Sequence, residues 1–582
     1  MNSRSNAIGV ALALAALAAG CGGAGATTGT DSDGGPPADA APPPAPTYRA
    51  IAGLSMGGLA AARLGLKYEE AFDVIAPLGT FLDATGFRRC FAEAMFGGFC
   101  VPPELGRMCA DPAVGEDYEH MDLGGANSGT EHRTSFVKVA QDAVAIAGNF
   151  FLYNADDPYL PPGVPADWLA RGSESRCAAP AVVPGLFDAR FNPDGAYDAI
   201  TFCDGDGPEP GVFDPDGPHD FPTDILLAID LDGDGRRGSG EPIVIQYGEP
   251  FHDTGASAGD TFDPLDSPSG TAGNGRRDAG EPFDDVGLDG VAGTGDYGEA
   301  NDTYDENPRA ANLGALDPLA ALEWAADLNR LHVYIDVGIR DHIRNLETTE
   351  RFAGTLRARG EEVSIVDGFG ALGAGDGADY RPFEVDWAQL APNALVKYGD
   401  PDASAEAIAL GDGGHIGTLD QLVQRFLTMI AFVSAHLPDG DFQPMGDSGQ
   451  VVAASFYSPV LDETRAYSIF LPPGYATSDR RYPVLYLIGG HGMAPEDLAA
   501  PVALFVGAPM RRGDVQKLIV VFPDARCHRG ECVEAAAHAN MLGRDGDGPR
   551  FEDSFIEDLM PHIDATYRTR GPSARDRASR AN

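Results

Sequence analysis

YRAIAGLSMGG, residues 48–58, is the stretch that decides the fold. Its apolar residues 50–52 predict a short strand that runs into the pattern Gly-x-Ser55-x-Gly, and the small and apolar residues 59–66 predict a helix directly after it. Such a strand-to-helix turn holds its serine at strained backbone angles, and glycines flank the serine because side chains there would clash. The helix N-terminus adds N–H groups that can stabilise an oxyanion. The pattern predicts a nucleophilic Ser55, and a plain glycine-rich turn is the alternative.

A candidate acid follows a later strand. Residues 331–337 (LHVYIDV) predict a buried strand, and Asp341 stands just past its C-terminal end. That position suits the acid of a Ser-His-Asp triad, and an N-cap of the next helix is the alternative. Asp336 lies inside the strand and is the poorer candidate. The other elements that spacing predicts in these two parts of the chain are strands at 72–77 and 362–366 and a helix at 345–359.

A candidate base lies on a glycine-rich loop. His415 ends the run Gly-Asp-Gly-Gly-His, just before a helix predicted at 419–437. An imidazole presented on such a loop can reach a serine on a neighbouring turn, and a histidine of an ordinary surface loop is the alternative. The rivals are His332, inside a predicted strand, and His342, beside the candidate acid, and both are less suitably placed.

The C-terminal part of the chain predicts further strands for a sheet around Ser55. From residue 451 the sequence VVAASFYSPVLDETRAYSIFLPPGY predicts two alternating strands joined by a turn. YPVLYLI at 482–488 and KLIVVFP at 517–523 predict buried strands, and residues 551–567 predict an amphipathic helix. These elements come after the candidate acid and base, whereas only a signal and a tether are predicted ahead of Ser55.

Both parts of the chain resemble the putative-esterase family of α/β-hydrolases, which includes esterase D, feruloyl and enterochelin esterases. The motifs that carry the resemblance are AGLSMGG, VYIDVGIRDHI with GGH, YSPVLDETRAYSIFLPPGY, YPVLYLIGGHG and FEDSFIEDLMPHIDATYRT. In that family the C-terminal stretch of this chain comes first and AGLSMGG follows it. The resemblance therefore implies an α/β fold with a doubly wound hydrolase sheet that is circularly permuted. Two truncated copies that pair between chains, or an error in the assembled sequence, would also produce this order.

The resemblance also implies roles for individual residues. Ser55 would be the nucleophile, His415 the general base and Asp341 the acid that orients it, in the order Ser, Asp, His along the chain. The backbone N–H of Met56 would be one oxyanion donor. A second donor would come from the loop after YPVLYLI, and the N–H of Met493 is the candidate. No cofactor is expected for catalysis.

A long excursion at roughly 85–320 separates two of the predicted hydrolase strands and becomes rich in aspartate and glycine. Asp230, Asp232, Asp234, Arg236 and Glu241 in it fit the spacing D-x-D-x-D-G-x5-E. Calcium takes roughly six to eight oxygen ligands, which the carboxylates, the carbonyl of Arg236 and a bidentate Glu241 would supply. We expect about one to three structural calcium ions, and a solvated acidic turn is the alternative.

A weaker copy of this loop follows. Residues 270–281 echo its glycines and arginine pair, lack its first aspartates, and keep Asn274, Asp278 and Glu281. So acidic a cluster is expected to repel itself unless cations are bound.

The N-terminus resembles a secretion signal. One base, Arg4, precedes an apolar run at 7–19 that is too short to span a bilayer as a helix. The run ends Leu-Ala-Ala-Gly-Cys21, which resembles a bacterial lipobox whose cysteine is lipidated. An ordinary signal peptide is the alternative. The chain is therefore expected in the cell envelope, at the outer membrane or cell surface, or secreted, and export makes a Cys527–Cys532 disulfide plausible.

Composition excludes some partners. The chain has 88 acidic and 41 basic residues, a formal charge of −47, so nucleic acid and anionic membrane surfaces are not expected to bind. Membrane contact is expected only through the lipid anchor.

Two classes of function follow from these patterns. The first is an exported serine esterase that acts on small-molecule or carbohydrate-linked esters through an acyl-enzyme, with acyl transfer as a variant. The second is a calcium-dependent surface binding or structural lipoprotein on an inactive hydrolase scaffold. The predicted segments are a signal peptide (1–21), a tether (22–47), the nucleophile half (48–84), a cap-like insertion (85–186), the acidic calcium-loop insertion (187–320), the part with acid and base (321–437), a linker (438–450) and the permuted N-terminal part (451–582).

Overall fold

The structure is a computed structural model, and it describes only part of the chain. The described residues are 45–84, 86, 226–228, 243–245, 249, 251–255, 257, 260–286, 299–305, 317–325, 328–341, 345–490, 493–526, 538–540 and 550–571. The predicted signal and lipidation site at Cys21, all eight cysteines, the calcium-loop residues 230–241 and almost all of the cap-like insertion lie outside them.

The strands come from both ends and the middle of the sequence. They are β1 (Arg49–Leu54), β2 (Val74–Leu78), β3 (Leu226–Ala228), β4 (Ile243–Ile245), β5 (His332–Gly338), β6 (Val363–Asp367), β7 (Asn393–Tyr398), β8 (Gln450–Ser458), β9 (Glu463–Leu471), β10 (Val484–Ile488) and β11 (Ile519–Pro523). Among the described residues, nine of them form one mixed sheet in the order β6-β7-β5-β2-β1-β10-β11-β9-β8, while β3 and β4 pair separately. The sheet is parallel from β6 to β11 and antiparallel from β11 through β9 to β8.

Most of the helices lie between these strands in sequence, and the last two follow β11. They are α1 (Met56–Lys67), α2 (Pro318–Trp324), α3 (Asn345–Ala358), α4 (Ala405–Ala409), α5 (Leu419–His436), α6 (Pro495–Arg512), α7 (Phe551–Asp553) and α8 (Met560–Thr566), and a π-helical segment (Ser554–Leu559) joins the last two. No helix in the described ranges combines the length and the apolar character that crossing a membrane requires.

Helices cover both faces of the sheet, which makes this an α/β fold as predicted. Alternate residues of β1 point to opposite faces, so Ile51 packs in one core with α1, α3 and α8, and Ala50 and Ala52 pack in the other with α5 and α6. Strands buried on both sides read as continuous apolar runs, which is why VLYLI of β10 and IVVFP of β11 are wholly buried.

The two ends of the described chain meet on strand β10. Arg49 of β1 lies opposite Val484 in parallel register. Just before that point, Thr569 lies opposite Tyr482, whose N–H donates to the carbonyl of Arg568 at 2.8 Å. The segment 568–570, opposite Tyr482, and strand β1, opposite β10, therefore follow one another along the same edge of residues 482–488.

Some elements were not predicted from the sequence. Helix α6 contains Pro501 and Pro509, residues that normally interrupt a helix. Strand β7 is a short apolar run, NALVKY, which sits between β6 and β5 although it follows β6 in sequence. Both elements owe their place to tertiary packing, because each is buried against the sheet core.

Candidate active site

The turn after β1 has the strained geometry that its sequence predicts. Ser55 has φ 55° and ψ −123°, a positive φ that side chains rarely adopt, and its N–H donates to the carbonyl of Leu78 at 2.9 Å. A β-carbon on Gly53 would overlap the backbone of Gly57, and one on Gly57 would overlap the carbonyl oxygens at the end of β10. The glycines therefore let the turn pack directly against its neighbouring strand.

The three residues predicted as a triad lie together. His415 Nε2 is 3.0 Å from Ser55 Oγ, and His415 Nδ1 is 2.9 Å from Asp341 Oδ2. Asp341 follows β5, and His415 lies on the loop between α4 and α5. The side chain of Asp341 is fully buried and that of His415 is 9% exposed, so the imidazole bridges a buried carboxylate and a partly exposed hydroxyl. This arrangement can transfer a proton from the serine as it attacks an electrophile.

A fourth side chain contacts the acid and was missed in the sequence. Asn345, the first residue of α3, is buried and its Nδ2 donates to Asp341 Oδ2 at 2.9 Å. It stands four residues after Asp341 in the sequence, and that spacing is the only signal the sequence offered. The amide fixes the carboxylate oxygen that also faces the imidazole.

The rival residues lie elsewhere. Asp336 on β5 forms a buried ion pair with Arg425, at 2.8 Å from Nη2, rather than a contact with His415. Burial raises the pKa of Asp336, and the charge of Arg425 opposes that rise. His332 lies at the start of β5 with its ring centroid 4.5 Å from that of His436. His342 lies outside the described residues.

The two predicted oxyanion donors differ in their surroundings. Met56 is the first residue of α1, so its N–H belongs to the group at a helix N-terminus that has no acceptor within the helix. The N–H of Met493 instead donates to the carbonyl of Gly490 at 3.1 Å, which closes a tight turn. Gly490 itself lies against the nucleophile, since a β-carbon there would be 3.5 Å from Ser55 Cβ. Met493 Sδ in turn accepts from the N–H of Gly490 at 3.3 Å, and the role of Met493 as an oxyanion donor stays a prediction.

The acidic segment, residues 251–305, is attached to the sheet by buried charges. Asp83 accepts from Arg276 of this segment and from Arg351 of α3, whose Nη1 is 3.2 Å away. Although burial opposes ionisation, these two cations hold the pKa of Asp83 below its usual range. Helix α3 also touches the segment at Gly354, where a β-carbon would overlap the carbonyl of Pro264. Helix α3 thus contacts the acidic segment and, at its first residue, Asp341.

The echo of the calcium loop in this segment has oxygens that accept hydrogen bonds from the segment itself. The Glu281 carboxylate accepts the N–H groups of Gly255 and Asp278, each at 2.8 Å, and Asn274 Nδ2 donates to Asp278 Oδ2 at 2.7 Å. These oxygens thus form hydrogen bonds between residues of the same segment. No group of three or more His, Cys, Asp or Glu side chains within the described ranges is arranged to hold a metal ion. The main loop lies outside those ranges, and its ends continue into β3 and β4, which pair antiparallel with Ala228 opposite Ile243.

Comparison with known families agrees with the resemblance seen in the sequence. Residues 458–578 match the family model described as Putative esterase. The resemblance is confirmed over this segment, which contains β9, β10 and β11 but none of Ser55, Asp341 and His415.

Among solved structures, a ferulic acid esterase is similar to part of the chain. The match has 26% sequence identity and a TM-score of 0.18, and it covers 21% of this chain and 45% of that one. This chain thus spans less than half the length of that protein, and a TM-score this low gives no information on fold or substrate.

Proposed function

We propose, from the premise that residues 458–578 belong to the Putative esterase family, that this chain is a serine esterase whose triad is Ser55, His415 and Asp341. One observation carries the proposal. His415 lies 3.0 Å from Ser55 and 2.9 Å from Asp341, although 360 residues separate the first pair in sequence. An inactive scaffold has no need for a strained serine aligned with a buried imidazole and carboxylate.

In the proposed reaction His415 accepts a proton and returns it in each of two steps, formation and hydrolysis of an acyl-enzyme. Ser55 Oγ attacks the ester carbonyl while His415 Nε2 accepts its proton, and Asp341 stabilises the imidazolium that forms. The tetrahedral oxyanion lies near the N–H of Met56 and the loop that follows β10. Collapse of this intermediate passes the proton to the leaving alcohol and leaves an acyl-enzyme. Water, deprotonated by His415, then attacks the acyl carbonyl and releases the acid, and a sugar hydroxyl in place of water would give acyl transfer.

The strand order supports a circularly permuted α/β-hydrolase in a single chain. The segment 568–570 and β1 lie one after the other along residues 482–488, so the last described residues lead towards the strand that carries the nucleophile. Joining them would place the elements after residue 450 ahead of Ser55, in the order of the resembled family. This pairing within one chain supports the permuted fold over two truncated copies.

Export, lipidation at Cys21 and calcium bound at 230–241 are parts of the same proposal. They rest on the sequence patterns, and each has its own test. Mass spectrometry of the mature protein identifies a lipidated N-terminal cysteine. Calcium at Asp230, Asp232, Asp234, the Arg236 carbonyl and Glu241 would stabilise structure, and a thermal melt with and without chelator measures it, because a ligand that binds only the folded state raises its stability.

The esterase proposal is tested with purified protein. We expect hydrolysis of p-nitrophenyl acetate and labelling by a fluorophosphonate, and we expect Ser55→Ala to lose the labelling and to lower kcat by on the order of 10⁴-fold or more. A Ser455→Ala variant is a suitable control, because that serine is exposed on β8, the edge strand at the far end of the sheet order. Wild type that neither hydrolyses the ester nor takes the label would favour the calcium-dependent binding lipoprotein instead.

A further inference from the structure

A buried cluster behind the candidate base is not used by the proposed mechanism. It consists of Arg425 on α5, Asp336 on β5 and Tyr398 at the end of β7. Arg425 and Asp336 are each 0% exposed and Tyr398 is 1% exposed. A buried ion pair is weak as a source of stability, since the cost of removing both charges from water offsets their attraction. The cluster is therefore expected to have a role other than stabilising the fold.

The arginine joins two elements through the two sides of its planar fork. Nε and Nη2 donate to the two oxygens of Asp336, at 3.0 and 2.8 Å. On the other side, Nη1 donates to the backbone carbonyls of His415 at 3.0 Å and Ile416 at 2.9 Å. Because a guanidinium is rigid, this bond pattern fixes the distance from β5 to the loop that carries His415.

Tyr398 holds the same loop from a third direction. Its hydroxyl is 2.8 Å from the carbonyl of Gly414 and 3.0 Å from that of His415, and it donates to this pair of oxygens. Its ring lies under the guanidinium of Arg425, 4.7 Å from ring centroid to carbon. The carbonyls of three successive residues, 414 to 416, are therefore bound by side chains from β7 and α5.

The clamp is continuous with the rest of the site. The N–H of Gly79 donates to the carbonyl of Asp336 at 2.9 Å, one residue after Leu78, which accepts from Ser55. A β-carbon on Gly79 would lie 2.5 Å from Arg425 Nη2, so the guanidinium fills the space beside this turn. The strand ends that carry the nucleophile and the acid are thus linked to the loop that carries the base.

We infer that Arg425, held by Asp336 and supported by Tyr398, is a positioning residue that sets the imidazole of His415 against Ser55. The inference rests on the proposed function, since it concerns the geometry of that triad. None of the three residues reaches the reacting atoms, so substrate binding is expected to be unaffected. A displacement of about 1 Å between reacting groups can cost on the order of 100-fold in rate. The clamp is therefore expected to govern kcat rather than KM.

Two variants separate positioning from stability. Tyr398→Phe removes one hydroxyl from the clamp. Its matched control is Tyr334→Phe, whose hydroxyl is buried on neighbouring β5 and has no hydrogen-bond partner within the described ranges. The double variant Asp336→Leu with Arg425→Met removes both charges and leaves no buried ion unpaired, so the fold is expected to persist.

Each variant is measured by p-nitrophenyl acetate hydrolysis and by the rate of fluorophosphonate labelling at Ser55. Tyr398→Phe lowers kcat about 10-fold with KM within about twofold, and Tyr334→Phe changes neither. The double variant melts within a few degrees of wild type and loses about 10- to 100-fold in kcat and in labelling rate. Arg425→Lys, a point charge that cannot bridge the carboxylate and both carbonyls, is as slow as the double variant.

Three results would overturn the inference. A folded double variant with the kcat and labelling rate of wild type would show that the ion pair is only structural. Equal kcat for Tyr398→Phe and Tyr334→Phe would exclude the tyrosine from the clamp. Wild-type protein that lacks both hydrolysis and labelling would overturn the proposed function, and this inference with it. This failure appears in the wild type alone, whereas failure of the inference appears only when active wild type is compared with the variants.

Discussion

The turn around Ser55 and the acidic segment at 251–305 are both attached to the same sheet, but by different forces. The turn is fixed by backbone contact and apolar burial, with Gly57 pressed against the end of β10 and Ile51 fully buried. The acidic segment is held by carboxylates, with Asp83 binding Arg276 and Arg351. Backbone packing is insensitive to pH and salt, whereas charge contacts depend on both. The two attachments should therefore respond differently to the same perturbations.

The largest effect is expected at the turn. Gly57→Ala places a methyl group onto the carbonyl oxygens of Ile488 and Gly489, and backbone on both sides cannot move aside. We expect a loss of about 3 kcal/mol or more in the free energy of unfolding, at or above the usual range for overpacking, together with loss of hydrolysis. Urea unfolding of the variant and wild type measures the difference.

Gly446→Ala is the matched control, because a β-carbon there meets nothing within 4 Å and its φ is ordinary. It should change stability by less than about 1 kcal/mol, and in the stabilising direction. If both substitutions had the same small effect, the turn would not be packed against β10.

A smaller effect is expected where the acidic segment attaches. Asp83→Asn leaves Arg276 and Arg351 without their shared carboxylate. Breaking a wholly buried pair costs about 3–5 kcal/mol, and Arg276 is 31% exposed, so we expect about 2–3 kcal/mol. Limited proteolysis should then cut the acidic segment earlier than in wild type, while fluorophosphonate labelling persists.

The control for this variant is Asp514→Asn, which breaks an exposed ion pair with Arg512 and should cost less than about 1 kcal/mol. Proteolysis at an unchanged rate in Asp83→Asn would mean that the segment is attached by other contacts.

A third effect, confined to acid pH, is expected in the contact between α1 and the C-terminal helical segment. Glu552 binds Arg63 and Lys67 of α1, each at 2.5 Å. Although burial opposes its ionisation, Arg63 leads the groups that lower the pKa of Glu552 to about 2. Because this pKa lies below its unfolded value of about 4.3, the stabilisation is present above that pH and is lost as the pH falls towards 2. Glu552→Gln should flatten this part of the stability curve.

Thermal melts at several pH values between 6 and about 2.5 check the prediction. Glu557→Gln, an exposed change on the same helical segment, should keep the acid dependence of wild type. Parallel curves for wild type and Glu552→Gln would contradict the assigned role.

Local patterns allowed much of the sheet and site to be predicted. Alternation and apolar runs gave β1, β5, β10 and β11, since strands buried on both faces leave a strong signal. The turn at Ser55 and the glycine-rich loop before α5 are also local, so the residues predicted as nucleophile and base could be found without a structure, and the structure brings them together.

What could not be predicted depends on contacts between distant residues. Arg425 and Asp336 are 89 residues apart, and no pattern in the sequence pairs them. Helix α6 was missed because its two prolines oppose a helix that packing nonetheless stabilises. The bond from the N–H of Met493 to the carbonyl of Gly490 depends on the local backbone path, which no pattern in the sequence predicts.

The central claim is that the two ends of this chain complete one catalytic sheet, and reordering the chain tests it most directly. A variant with residues 450–582 placed directly ahead of 45–449 has the element order of the resembled family and keeps Asp441, which binds the buried Lys517. Breaks in exposed loops are tolerated when packing is kept, so we predict a folded protein with kcat/KM for p-nitrophenyl acetate within about 10-fold of wild type. An insoluble chain, or a folded one no more active than its own Ser55→Ala variant, would contradict the account.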